Sequence, residues 1–217
     1  MKPYFETKLG QLFHADCADV LRDMEDKFVD LVLTDPPYGI GGKWVGGSGQ
    51  KSGWSKTHAE KEVRNDWDAA APRQEVFEDI QRVSKGQIIW GGNYFALPAS
   101  RCWLIWNKPE RGFTLAEAEL AWTSADNIVR VFDHNRHVPG REHPTQKPLE
   151  LFAWCLGLSW AEKLPVVLDP FMGSGTTAVA CEQLGRKWIG IERNEQYCEL
   201  AAKRLSRPMQ KSLFSAA

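Results

Sequence analysis

Two short motifs hold the residue types in this chain that could do chemistry. The first, Asp35-Pro36-Pro37-Tyr38, directly follows the apolar run Leu31-Val32-Leu33-Thr34, which is typical of a buried strand. Its prolines fix φ and restrict the residue before each of them, so the backbone is rigid. A rigid carbonyl beside a carboxylate can accept both hydrogens of a primary amine, and the tyrosine ring can stack on a planar base. The motif therefore predicts a site for the amine of a flipped nucleobase; a Pro-Pro turn capped by Asp35 is the plain structural alternative.

The second motif is the glycine-rich run Phe171-Met172-Gly173-Ser174-Gly175-Thr176-Thr177, which follows the strand-like residues 166–169. Its glycines permit backbone angles and a close approach that side chains forbid. Backbone N–H groups at the start of the next helix can bind polar ligand atoms. Glu192 lies 17 residues after Gly175, near the interval of roughly 20 residues at which an acid holds ribose hydroxyls. The pattern predicts a site for a nucleotide-like cofactor; the alternative is a tight strand-helix turn without a ligand.

Strand-like and helix-like segments alternate along the chain, and this predicts an α/β fold with a doubly wound, mainly parallel sheet of about seven strands. The strand-like segments are 10–16, 30–34, 87–90, 101–106, 119–123, 128–132, 166–168 and 188–191. The helix-like segments are 18–24, with Asp16 as its N-cap, and 73–83, 149–160, 176–184 and 195–205. Strands 119–123 and 128–132 are expected to run antiparallel. Ligands bind at the carboxyl ends of such strands, so the two strands that carry the motifs must be neighbours.

The bulk properties bound the class of protein. The 217 residues fit one domain, 1–217, and the 43% of hydrophobic and 25% of charged residues are ordinary for a globular chain. The sequence has neither an apolar run of about 18 residues nor an apolar N-terminal stretch, which predicts a cytoplasmic protein without a membrane partner. An odd number of cysteines without a CxxC pair predicts reduced thiols and no metal site. These cysteines are Cys17, Cys102, Cys155, Cys181 and Cys198.

Two stretches are locally basic although the net charge of the chain is −1. Residues 41–64 carry five basic against two acidic side chains, and residues 130–147 carry four against two. Such stretches are commonly solvated loops, but a nucleic-acid partner would need them. The glycine- and lysine-rich segment 39–66 is long for a loop and is predicted to be a flexible DNA-contacting loop, with 133–142 a short variable segment. The candidate contacts are Lys43, Trp44, Lys51, Lys56, Arg64, Arg136 and Arg141.

Taken together, the motifs resemble those of amino-methylating DNA methyltransferases that use S-adenosyl-methionine, in the beta arrangement. In that family the DPPY motif precedes the FxGxG motif, a circularly permuted order that Asp35–Tyr38 and Phe171–Gly175 follow here. His143-Pro144-Thr145-Gln146-Lys147-Pro148 resembles the family's element before the cofactor motif, and Asp16-Cys17 its segment near the cofactor's adenine. The resemblance extends over residues 8 to 206 and implies a Rossmann-like methyltransferase fold.

The resemblance also implies a role for each motif. Asp35 and the Pro36 carbonyl would hold the amine, Pro37 would fix the turn, and Tyr38 would stack on the base. The cofactor would be S-adenosyl-methionine, its methionine end held by Thr145, Gln146 and Lys147. The complete set of implied cofactor contacts is Asp16, Cys17, Asp35, Thr145, Gln146, Lys147, Asp169, Pro170, Phe171, Gly173, Ser174, Gly175, Thr176, Glu192 and Arg193. No metal is implied.

The identity of the methylated amine stays open between two bases. The aspartate form of the motif favours N6 of adenine in double-stranded DNA over N4 of cytosine; an RNA base is a further alternative. A cytosine-C5 enzyme would need a cysteine after a proline, and none of the five follows one. A catalytically inactive subunit and a nucleotide-binding oxidoreductase are the alternatives from other classes. Analogy favours a solitary enzyme of phage or prophage type with a short recognition site, and a homodimer is open.

Overall fold

The computed structural model describes residues 1–40, 70–111, 116–135 and 147–207, in which nine strands and five α-helices follow one another. The strands are β1 (Phe5–Glu6), β2 (Gly10–His14), β3 (Val29–Thr34), β4 (Ser84–Trp90), β5 (Trp103–Asn107), β6 (Ala118–Thr123), β7 (Arg130–Asp133), β8 (Val166–Asp169) and β9 (Lys187–Glu192). The helices are α1 (Cys17–Asp23), α2 (Gln74–Val83), α3 (Leu149–Leu156), α4 (Thr176–Leu184) and α5 (Glu195–Leu205). A short 3-10 helix spans Gly92–Tyr94.

These strands form one sheet in the order β1-β2-β9-β8-β3-β4-β6-β5-β7. The sheet is mainly parallel, as expected, but it has nine strands where about seven were predicted. The two-residue β1, which pairs antiparallel with β2, has no signature of its own in the sequence. β6 runs antiparallel to both β4 and β5. The expectation that β7 is also antiparallel is wrong, because β7 pairs with β5 in parallel register at the sheet edge.

The prediction that the two motif-bearing strands are neighbours is confirmed. β3 and β8 pair in parallel, with Leu31 opposite Val167 and Val32 opposite Leu168. The carboxyl ends of parallel strands lie at the same edge of a sheet, so both motifs leave the sheet side by side.

Helices cover both faces of the sheet, as a doubly wound fold requires. Successive residues of β3 point to opposite faces: Leu31 and Leu33 pack into one core cluster and Val32 into the other. The first cluster includes apolar side chains of α3, α4 and α5, and the second includes those of α1 and α2. β3 is therefore covered on both sides, which explains its nearly continuous apolar run.

Local signals account for the helix ends. The Asp16 carboxylate accepts a hydrogen bond from the Ala18 N–H over 2.9 Å, which confirms the predicted N-cap of α1. α3 is shorter than the predicted 149–160: its last residue is Leu156, and Gly157 is its C-cap, with an N–H that donates to the Ala153 carbonyl over 3.0 Å. None of the helices among the described residues is both long and apolar enough to cross a bilayer.

Candidate active site

A cavity of about 350 Å³ opens at the carboxyl ends of the central strands. Its volume falls within the range of small-molecule sites, which starts at about 300 Å³. Both motifs contribute to its lining, as do the acidic ends of β2 and β9. The predicted site residues that line it are Asp16, Cys17, Asp35, Pro37, Pro170, Phe171, Gly173, Glu192 and Arg193. The fold thus brings together residues that lie as far apart as 177 positions in the sequence.

Gly173 forms one edge of this cavity in a conformation that favours glycine. Its φ is +51°, and a Cβ built on it would meet no other atom within 4 Å, so the added atom would project into open space. The Gly173 N–H donates to Oε2 of Glu192 over 2.8 Å. A side chain at this position would therefore take up room that a bound molecule could use.

Glu192 is held at the end of β9 by two backbone donors. Gly173 binds one carboxylate oxygen, and the Asn194 N–H donates to the other, Oε1, over 2.8 Å. Burial raises the pKa of Glu192, and these N–H groups oppose the rise. Each oxygen of an ionised carboxylate has two acceptor sites, so both oxygens keep one for the hydroxyls of a ribose. The glycine edge and this oriented acid fit the nucleoside part of S-adenosyl-methionine.

A further part of the cavity lining is formed where β2 meets α1. Asp16 is fixed as the N-cap of α1. Burial raises the pKa of the neighbouring Cys17 thiol to about 12, and the charge of Asp16 adds to the rise. The thiol is thus neutral at pH 7 and behaves as a small apolar side chain, which suits contact with a planar ring.

Three predicted cofactor residues, Asp169, Ser174 and Thr176, lie in or next to the glycine loop but outside the cavity lining. Asp169 accepts a hydrogen bond from the Phe171 N–H over 3.1 Å and another from the Thr177 hydroxyl. The Arg204 guanidinium donates to the Ser174 hydroxyl over 3.0 Å and to the Thr176 hydroxyl over 3.3 Å. The side chains of Asp169, Ser174 and Thr176 are buried and bound to protein groups, so they shape the loop. Their direct contact with the cofactor stays a prediction.

Gly175 explains how the loop turns into α4. Its φ is +83°, and a Cβ there would lie 3.0 Å from the Cβ of Ala201 in α5. A glycine at this position therefore permits both the turn and the close packing of the two helices.

The carboxylate of Asp35 is bound on both oxygens. The Tyr38 hydroxyl donates to Oδ1 over 2.6 Å, and Lys147 Nζ donates to Oδ2 over 2.6 Å. Burial raises the pKa of Asp35, and the Lys147 cation opposes the rise. Lys147 was expected to contact the methionine end of the cofactor, and that contact stays a prediction. Its side chain is only 7% exposed and lies against the first motif, outside the cavity lining.

Glu119 and Lys108 extend this cluster, and sequence reasoning missed both. Glu119 Oε2 lies 3.0 Å from Lys147 Nζ, and Oε1 accepts a hydrogen bond from Lys108 Nζ. Lys108 Nζ also lies 4.5 Å above the Trp106 ring. Burial alone would raise the pKa of Glu119, but the two lysines hold it at about 2. The signal that could have found Glu119 is a charged residue at the start of the apolar strand Ala118–Thr123.

The Tyr38 ring lies among aromatic side chains. It stacks on Tyr94 with ring centroids 4.9 Å apart and an angle of 16° between the planes, and Phe95 meets it edge-on at 6.1 Å. Gly91, with φ +69°, lies so near that a Cβ there would be 2.1 Å from the Tyr38 ring. Sequence reasoning missed Tyr94. The signal that could have found it is the glycine pair that precedes it at the end of a predicted strand.

Other predicted residues lie outside the described ranges: Thr145, Gln146, and all seven candidate nucleic-acid contacts, Lys43, Trp44, Lys51, Lys56, Arg64, Arg136 and Arg141. Pro36 lies within the described ranges and is buried. In the ranges that the structure describes, no cluster of His, Cys, Asp or Glu could hold a metal ion. Residues 70–73 and Tyr197 also line the cavity, although no motif pointed to them.

Comparisons with known proteins agree with the family resemblance of the sequence motifs. A family model described as "DNA methylase" (N6_N4_Mtase) matches residues 51–203. The type II methyltransferase M2.MboI of Moraxella bovis is 27% identical over 255 aligned positions, which cover 94% of this chain and 91% of that protein. The solved structure of the PvuII cytosine-N4-specific DNA methyltransferase superposes with a TM-score of 0.64 at 16% identity, covering 95% of this chain and 89% of that one.

A second solved structure, the complex of M1.HpyAVI with SAM, has a TM-score of 0.55 at 21% identity. It covers 92% of this chain and 100% of that one. At these identities the two likenesses show the fold, which is the Rossmann-like methyltransferase fold that the resemblance implied.

Proposed function

This chain belongs to the N6_N4_Mtase family of DNA methylases, and from that premise we propose that it methylates N6 of adenine in double-stranded DNA. Family membership supports amino methylation of DNA, with S-adenosyl-methionine as the methyl donor. Adenine as the target is our proposal. It rests on the aspartate that opens the first motif, Asp35, because this form of the motif favours adenine in the family that the sequence resembles.

The observation that carries the proposal is the place of Asp35. Asp35 lines the same cavity as Gly173 and Glu192, so the residue suited to an amine and the residues suited to a nucleoside border one opening. Positioning of this kind supplies a large share of catalysis in transfer reactions, since it replaces the entropy of encounter.

The chain's own residues would act on the amine in two ways. Asp35 accepts one amine hydrogen and the Pro36 carbonyl a second, which directs the nitrogen lone pair into the cavity. S-adenosyl-methionine, which Glu192, Asp16 and Cys17 would hold, would supply a methyl group made electrophilic by its sulfonium. The amine nitrogen would take that methyl group, and the electrons of the S–C bond would leave with the sulfur. The methylated amine then carries one proton too many, and Asp35 is placed to accept it. Burial raises the pKa of Asp35, which makes it a better acceptor for that proton.

The remaining site residues have the roles that the family resemblance implies. Glu192 would hold the ribose hydroxyls of the cofactor, and Asp16 and Cys17 would contact its adenine. Tyr38, whose ring already stacks on Tyr94, would stack on the flipped base. The seven basic and aromatic residues expected to contact DNA stay part of the proposal, with phosphates as their partners.

The experiment that tests the proposal is a transfer assay with labelled S-adenosyl-methionine and unmethylated duplex DNA, followed by digestion to nucleosides. We expect the label in N6-methyladenine. Label in N4-methylcytosine would keep the mechanism and overturn the choice of base. Label only on RNA would overturn DNA as the substrate. No transfer to any nucleic acid by a protein that binds the cofactor would overturn the proposed activity.

A further inference from the structure

Beside Asp35 lies a row of three charged side chains, two buried lysines and a partly buried glutamate, that the mechanism above does not use. Lys147 contacts Asp35, Glu119 contacts Lys147, and Lys108 contacts Glu119. We propose that Lys147 and Glu119 are positioning residues that orient the Asp35 carboxylate and set the pH at which it accepts an amine hydrogen. This inference rests on the proposed function, whose catalytic carboxylate is Asp35.

The four charges come from four separate parts of the chain. Asp35 follows β3, Lys108 follows β5, Glu119 lies on β6, and Lys147 precedes α3. The side chains of Lys108 and Lys147 are each 7% exposed, and that of Glu119 is 19% exposed. A buried charge without a partner costs several kcal/mol, whereas alternating signs compensate one another. The free energy of the row therefore favours this paired arrangement, and the arrangement fixes the carboxylate of Asp35.

The N–H donors of Lys147 already have acceptors within the protein. An ammonium group has three N–H donors. Lys147 Nζ lies 2.6 Å from Asp35 Oδ2, 3.0 Å from Glu119 Oε2 and 3.1 Å from the Tyr38 oxygen. Three acceptors thus match three donors, so contact with the carboxylate of a bound methionine group would require one of these bonds to break. This geometry favours action through Asp35 over direct contact with a cofactor.

The same contacts restrict the rotation of the Asp35 carboxylate. Lys147 holds Oδ2 and the Tyr38 hydroxyl holds Oδ1, so the plane of the group is defined from two sides. The incoming amine meets a carboxylate that is already oriented. In metal sites, loss of an outer partner that orients a ligand typically costs about 10- to 100-fold in metal affinity or activity, and we expect an effect of the same order here.

The charges around Asp35 act with opposite signs. Tyr38 faces it from the same loop, Lys147 from the segment before α3, Glu119 from β6 and Asp169 from β8. The Lys147 cation lowers the pKa of Asp35, and the Glu119 anion raises it. Removal of the Lys147 cation should therefore raise the pKa of Asp35, and removal of the Glu119 anion should lower it. Lost packing alone would not produce opposite shifts.

The test compares Lys147→Met and Glu119→Gln with the wild type in the pH dependence of kcat for DNA methylation and in affinity for S-adenosyl-methionine. For Lys147→Met we expect kcat to fall about 10- to 100-fold. We also expect the acid limb of the plot of kcat against pH to move to higher pH by about one unit or more. For Glu119→Gln we expect that limb to move to lower pH. Cofactor affinity should stay within about twofold of the wild type. Lys147→Arg, which keeps the charge, should restore the position of the limb.

Matched controls are Lys163→Met and Glu78→Gln, which change exposed residues away from the cavity. Thermal melts establish that each variant is folded, and if one is not, the other carries the test by the direction of its shift. A Lys147→Met enzyme with weakened cofactor binding and an unmoved limb would overturn the proposal. Limbs that move in the same direction in both variants would overturn it as well.

A second measurement separates this inference from the proposed function. The Asp35 carboxyl can be titrated by carbon NMR in the wild type and the two variants, with no substrate present. If the wild type methylates no DNA, the proposed function fails, but opposite shifts of the Asp35 titration still support the charge coupling. If the wild type methylates DNA and the Asp35 titration is the same in all three proteins, the positioning role fails alone.

Discussion

The Thr34 hydroxyl donates to Oδ1 of Asp169 over 2.7 Å and thereby ties together the two strands that carry the motifs. Thr34 is the last residue of β3 before the first motif, and Asp169 is the last residue of β8 before the second. Asp169 also accepts hydrogen bonds from Thr177 and from the Phe171 N–H. One buried carboxylate thus fixes the spacing between the amine site and the cofactor site.

Asp169 should make the folded state less stable as the pH rises. Burial raises its pKa from 3.8 to about 6, so folding favours the protonated carboxyl. That contribution is complete below pH 4 and is lost as the pH rises through 6. A raised pKa of this size corresponds to about 3 kcal/mol. Urea unfolding of wild type and Asp169→Asn should show the advantage of the wild type shrinking by this order between pH 4 and pH 7. Asp126→Asn, at an exposed ion pair, should show no such trend; a constant difference would contradict the prediction.

Gly173→Ala should block the cofactor without unfolding the protein. Its Cβ would project into the cavity edge, and a φ of +51° adds strain. Gly185 is a matched control: its φ is +67°, and it likewise has no atom within 4 Å of an added Cβ, but it caps the C terminus of α4. Both alanine variants should lose about 1 kcal/mol of stability. Only Gly173→Ala should lower affinity for S-adenosyl-methionine, by at least tenfold in calorimetry. Equal affinities in the two variants would exclude Gly173 from the cofactor site.

Asp35→Ala should lose methyl transfer while it keeps most of its cofactor affinity. The carboxylate is the acceptor for the amine, and loss of such a group costs about 10²- to 10⁴-fold in rate. Folding should survive because Lys147 keeps Glu119 as its partner at 3.0 Å. Single-turnover transfer rates and calorimetric affinities, measured on the same preparation, check both statements. A variant with near-normal transfer would remove Asp35 from the chemistry.

The sequence predicts the parts of this fold that have a local cause. The apolar run Leu31–Thr34, the Asp16 cap and the glycine turn each depend on neighbours within a few residues. They led to the correct elements and to adjacent motif-bearing strands. The end of α3 was placed too late, since the apolar pattern continues past Gly157 although the helix does not.

Features that depend on long-range contacts were beyond such reasoning. Glu119 and Lys147 are 28 positions apart, and only the insertion of β6 between β4 and β5 brings Glu119 to the first motif. The direction of β7 depends on the same insertion, because the chain returns beside β5 at the sheet edge. The pattern of a single strand can mark Glu119 as unusual, but it shows neither the partners of Glu119 nor the direction of β7.

Tyr94 should matter to catalysis through the ring that it holds in place. Tyr94 is 48% exposed and its ring stacks on Tyr38 at 4.9 Å, while Gly91 limits movement of Tyr38 from another side. An aromatic pair of this kind contributes about 0.5–1.5 kcal/mol, which corresponds to a two- to tenfold change in rate. Tyr94→Ala should therefore lower kcat/KM for DNA by about that factor and leave cofactor affinity unchanged. Tyr94→Phe keeps the ring and should match the wild type. If the phenylalanine variant is as slow as the alanine variant, the hydroxyl rather than the stacked ring is what the site requires, and Tyr94 does not act by supporting Tyr38.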